Sequence, residues 1–190
     1  MRWPLFVFAA YVTLTLHVGL GPLLRIAGVS PDGLLILAVF VATWAGTMEA
    51  LWSALILGLL ADLTGQAFPV TQGSGDFVLI GPCTIGSLVG AFAVLQLRGL
   101  MFRDSPLAWA TLVFLAGMLS GLVAVTIMII RTAPWLLDMP IPGWHAADQL
   151  VRSFGQSVYS ALLAIPAGWL LRKTFPFWGF HTGKSRLAPR

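Results

Sequence analysis

The sequence predicts an all-α fold: a polytopic integral membrane protein, built as a helical bundle of about six transmembrane helices. Three observations carry that prediction. Of the 190 residues, 58% are apolar and only 9% are charged, where a soluble domain carries roughly 25% charge. Mean hydropathy is +0.89. The apolar residues come in runs long enough to cross a hydrocarbon core of ~30 Å at ~1.5 Å per residue. The length leaves room for one domain, with residues 1–173 forming the transmembrane part and 174–190 a basic cytoplasmic tail.

The first helix is expected over 4–24, with Pro4 in its first turn, where a missing N–H costs little. Arg2 is the only cation ahead of it, and no short apolar core with a small-residue cleavage site follows, so it reads as an uncleaved first span rather than a signal peptide. His17 reads as a packed neutral histidine bonded to a neighbouring backbone or hydroxyl group, since no second relay residue accompanies it. Ser30-Pro31-Asp32 marks a helix start, with Ser30 as the cap and Pro31 at the first position.

From 33 to 63 the only charged residue before Asp62 is Glu49. As one helix this run would reach ~46 Å, too long for one ordinary crossing and short for two. Charge arbitrates. With two short helices turning near Trp44-Ala45-Gly46-Thr47, both termini share a side. Eight cations (Arg2, Arg98, Arg103 and five of the tail) then face three, Arg25, Arg131 and Arg152. The positive-inside rule places the eight, and both termini, in the cytoplasm. One long tilted helix would separate most of the positive charge from the N-terminus.

The stretch 47–66 carries Glu49 and Asp62 near its ends and Ala50, Ala54 and Gly58 spaced four apart. Such spacing makes a flat stripe that another helix can approach closely. The two carboxylates are thirteen residues apart, ~20 Å along a helix and roughly 220° around it, so they are no catalytic pair. Ionisable residues inside a membrane segment are costly, which makes Asp62 a site candidate as well as a candidate helix-end cap. Its expected partners across space are Arg25 and the polar start of the second helix, including Asp32.

The polar, glycine-bearing stretch 65–76 reads as an outer loop. A fourth helix is expected over 77–97, a fifth over 106–130 with Ser105 as cap, and a sixth over 150–171. Gly86/Gly90 and Gly117/Gly121 are close-packing pairs read as internal contacts. Trp135 and Trp144, in the outer loop before the sixth helix, read as interfacial anchors.

No catalytic constellation is present. The three histidines are scattered, no metal-ligand spacing occurs, and the lone Cys83 excludes an intramolecular disulfide. Neither enzyme activity nor a cofactor is expected. The pI near 10.0 comes with five of the eleven cations in the last nineteen residues. That clustering points the tail at anionic lipid rather than nucleic acid. Small-residue faces serve internal packing, a partner helix or a second copy of the chain equally well.

Two motifs carry a resemblance. Ser30-Pro31-Asp32 opening an apolar helix, followed by Gly58-Leu59-Leu60-Ala61-Asp62-Leu63-Thr64-Gly65, resembles the rod shape-determining protein MreD family of the bacterial cell-elongation machinery. The basic link around Arg98 and Arg103 and the closing Leu170-Leu171-Arg172-Lys173 fit the same order. Residues 68–76 depart from it, being longer and more polar than the family's step into the next helix.

The resemblance implies a non-enzymatic scaffold in the bacterial cytoplasmic membrane. Such a scaffold binds MreC and is linked through it to MreB filaments and the peptidoglycan synthases. Pro31, Asp32, Glu49, Ala50, Ala54, Gly58, Asp62 and Gly65 would then form the packing or partner site. Size and layout are also similar to the substrate-binding subunits of energy-coupling factor transporters. That similarity implies the alternative, capture of a vitamin-sized molecule from outside.

Overall fold

Ten consecutive residues, 34–43, are buried on every side. Their composition explains it: LLILAVFVAT has no polar residue before Thr43, so no face of a helix built from it can turn to water. In the computed structural model this stretch is the central element of the bundle. The structure describes residues 1–26, 28–64, 81–99, 105–133 and 145–180.

The helices are α1 (Trp3–Leu20), α2 (Gly33–Trp44), α3 (Thr47–Leu63), α4 (Pro82–Leu97), α5 (Pro106–Thr132), α6 (Ala146–Lys173) and the single turn α7 (Phe175–Trp178). The bundle is all-α. Successive helices pack as neighbours, and α2 touches α1, α3, α4, α5 and α6. Three of them, α1, α5 and α6, are long and apolar enough to cross a membrane, and the chain is a membrane protein. At ~1.5 Å per residue α2 spans only ~18 Å.

The run 33–63 is two helices. Ala45 and Gly46 are extended, at ψ 169° and 158°, and Thr47 opens the return. Arg2 N–H donates to the Trp178 carbonyl at 2.9 Å, so the described ends of the chain lie together. Arg2, Arg98, Arg172 and Lys173 stand at helix ends on that side of the bundle, and Arg25, Arg131 and Arg152 at the other.

Several boundaries differ from expectation. α1 stops at Leu20 rather than 24, because Pro22 supplies no N–H to continue the ladder and its ring crowds the preceding turn. The cap of α2 is Asp32, not Ser30: its Oδ1 accepts the Leu35 N–H at 3.0 Å. Pro31 therefore precedes the cap instead of opening the helix. α4 opens at Pro82, preceded by Gly81 at φ +131°, a conformation that favours glycine. The remainder of its expected start, 77–80, lies outside the described residues.

The segment after Lys173 is not simply a basic tail. Phe175–Trp178 folds back as α7, and Trp178 is 1% exposed, its ring 5.3 Å from Phe40 and stacked on Phe180 at 5.4 Å. Phe175 packs on Trp44 at 4.9 Å. Three aromatic side chains in 174–180, Phe175, Trp178 and Phe180, pack against the core before the charges begin, while Phe177 is exposed. The basic residues Lys184, Arg186 and Arg190 lie outside the described residues.

Glycine-mediated contacts join consecutive helices. A Cβ on Gly86 or Gly90 would lie 2.6 Å from the Ser120 carbonyl oxygen or 2.8 Å from that of Ala116, which brings α4 onto α5. On Gly117 or Gly121 it would lie 2.7 Å from Ser157 Oγ or Ser153 Cβ, which brings α5 onto α6. Both pairs therefore serve internal packing, as their spacing suggested.

Candidate functional site

The start of α4 has a hydrogen-bonding deficit that its own sequence cannot meet. Pro82 has no N–H, Gly81 has no side chain, and no residue of the α4 start caps it, so the N–H groups of Gly81, Cys83 and Thr84 need an acceptor from elsewhere. Asp62, at the end of α3, provides it. Its Oδ2 accepts the Gly81 N–H at 2.9 Å, the Thr84 N–H at 2.9 Å and the Thr84 hydroxyl at 2.6 Å, and its Oδ1 accepts the Cys83 N–H at 2.9 Å. The side chain is 3% exposed.

The geometry makes Asp62 an N-cap lent by one helix to the next. A carboxylate is acceptor-only, and four donors converge on this one, three on Oδ2 and one on Oδ1. It also sits at the positive end of the α4 macrodipole, where negative charge is favoured. The expected partners, Arg25 and the start of the second helix, are not the ones it takes. The pairing is with α4 because Gly58, one turn earlier on the same face, lets that helix come close. A Cβ on Gly58 would collide with Ser87 Oγ and lie 2.7 Å from Thr84 Cα.

Ala50 and Ala54 continue the stripe and are fully buried. Ser87 Oγ lies 2.9 Å from both the Ala54 and the Thr84 carbonyl oxygens, so its proton can serve either helix. The stripe is thus occupied from inside the chain. Gly65, which closes the resemblance motif, lies outside the described residues.

The opposite end of the α2–α4 unit is closed by a cation. Arg98, at the C-cap of α4, donates through Nη1 to the carbonyls of Ala42 at 2.9 Å and Ala45 at 2.6 Å, satisfying the C-terminal carbonyls of α2 where the dipole favours positive charge. Glu49 belongs to this end and accepts from the Met1 amino group at 2.8 Å. The two carboxylates of α3 therefore sit in separate environments. Asp32 caps α2 and gives its own N–H to Ser160 Oγ at 2.8 Å, tying that helix to α6. Pro31 beside it is buried.

No family model, curated protein or solved structure matches this chain.

Two adjoining cavities lie at the Asp32 and Asp62 end. The inner one, about 70 Å³, is lined by Ser87, Ser120, Ser153, Ser157 and Gln156 among others. The outer one, about 60 Å³, reaches Arg25, Arg152 and His17. Pockets that engulf a drug-sized ligand run to roughly 300–1,000 Å³; the inner cavity has space for a few waters. His17 also departs from expectation: its Nδ1 is buried without a hydrogen-bond partner among the described residues. There, too, no three of His, Cys, Asp and Glu come together to hold a metal ion.

Sequence reasoning found Asp62 but missed Arg98 and the donors of α4. One signal was available. A Gly-Pro helix start with no Ser, Thr, Asp or Asn at the cap position, inside an apolar protein, requires an acceptor from another segment.

Proposed function

We propose that this chain is a non-enzymatic scaffold of the MreD type in the bacterial cytoplasmic membrane, multi-pass with both termini cytoplasmic. It holds an MreC-like membrane protein, and through it MreB filaments and the peptidoglycan synthases that direct lateral wall growth. The observation that carries this reading is the use of Asp62. The motif residue that could have served transport or acid–base chemistry is buried, with four donors of the α4 start converging on its carboxylate. A buried carboxylate so engaged holds two helices in register.

Two further features support it. The segment 58–65 resembles the family motif, and the Lys and Arg distribution favours cytoplasmic termini. Vitamin capture gains little from the described residues, whose cavities are several-fold smaller than a vitamin-sized ligand requires. The test is removal of the protein from a rod-shaped host combined with affinity purification from mildly solubilised membranes. Rounded cells and recovery of an MreC-like protein are expected. Normal shape with no such partner recovered would sink the proposal.

A further inference from the structure

At the end of the bundle opposite the chain's described termini, α1 is followed by a tight turn. Ile26 and Val29 exchange both backbone hydrogen bonds at 2.9 Å, with Gly28 at φ +81°. The turn rests on α6: a Cβ on Gly155 would lie 3.4 Å from Val29 Cγ2, an ordinary contact. From α6, Arg152 also lies over the turn, its Nη2 3.9 Å from where a Cβ of Gly28 would be. Arg25, immediately before the turn, and Arg152 are thereby held at the mouth of one cavity of about 60 Å³.

The lining has the polarity of an anion site. Among the described residues neither arginine is in a salt bridge. The one carboxylate in the wall is Asp32, and its Oδ1 is already engaged as the cap of α2. His17 lines the same cavity, with Nδ1 buried and unpartnered, and Ser30 and Gln156 add a hydroxyl and an amide. Guanidinium groups match phosphate oxygens in pairs, and basic pockets between membrane helices hold lipid headgroups.

We propose that this mouth, between the α1–α2 turn and the first turns of α6, binds a phosphate group, with Arg25 and Arg152 as a two-sided clamp. The phosphate is that of a lipid headgroup or a free phosphate, and the site does not depend on the scaffold reading. It lies at the far end of the bundle from the basic tail, so the two contacts with anionic lipid are separable.

The test uses the full chain in detergent and native mass spectrometry, with phosphatidylglycerol, diacylglycerol of the same chains and inorganic phosphate as probes. The wild type should retain phosphatidylglycerol and not diacylglycerol. The double variant R25Q/R152Q should bind phosphatidylglycerol roughly thirtyfold more weakly. R2Q/R172Q, at the opposite end, bears only on the separate tail contact and should leave headgroup photolabelling of 22–30 and 148–156 unchanged. Displacement of the lipid by inorganic phosphate identifies free phosphate as a sufficient ligand, and no displacement identifies the headgroup. A headgroup-photoactivatable phosphatidylglycerol on the unmodified chain should mark 22–30 and 148–156. Labelling confined to other segments, equal binding of diacylglycerol, or undiminished binding to R25Q/R152Q overturns the proposal.

Discussion

Replacing Asp62 tests the central inference because its hydrogen bonds can be counted. In Asp62→Asn the side-chain oxygen can keep the position of Oδ2, with its three donors, but the amide nitrogen then faces the Cys83 N–H, donor against donor. One orphaned N–H costs about 1–3 kcal/mol, and loss of the charge at the α4 N-terminus roughly 1 kcal/mol more. A local destabilisation of about 3 kcal/mol is expected. Asp62→Ala orphans three N–H groups and costs upwards of about 4 kcal/mol.

The chain carries its own reporter, since its single cysteine is Cys83, whose backbone N–H is one of the donors. If alkylation of Cys83 proceeds through local opening of the α3–α4 end, its rate follows the open population. A change of about 3 kcal/mol then accelerates labelling roughly a hundredfold in Asp62→Asn. Asp62→Ala should be faster still. Unchanged alkylation rates and thermal midpoints in both variants would refute the idea that Asp62 locks these helices, and would reduce it to a solvated helix end.

Two substitutions test the packing on either side of that lock. Gly58→Ala places a methyl group against Ser87 Oγ and Thr84 Cα and should lower stability by about 1–3 kcal/mol in a denaturant titration. Gly99→Ala, where nothing lies within 4 Å, should leave it unchanged; equal effects of the two would contradict the close α3–α4 contact. Trp178→Ala removes a buried ring from the Phe40 cluster and should cost about 3 kcal/mol by the same titration. A neutral result there would mean that the segment after Lys173 contributes nothing to the bundle.

Composition and spacing alone determined that this is an all-α membrane protein, because apolar runs of membrane length with so few charges have no other stable solution. They gave the glycine faces, which follow from a four-residue period, but left the run 33–63 open between one long helix and two; the charge count favoured the turn that the structure has at Ala45 and Gly46. Asp62 stood out as a carboxylate beside a small-residue stripe. What it binds was decided by the tertiary structure. Its donors lie up to 22 positions away, across residues 65–80, and helical period says nothing about which helix fills a stripe. The same holds for Arg98, which reaches carbonyls 53 and 56 positions back, and for Trp178, whose pocket exists only once α1 and α2 have come together. Local physics fixes the helices and their faces; long-range hydrogen bonds and ring contacts choose the partner of each face.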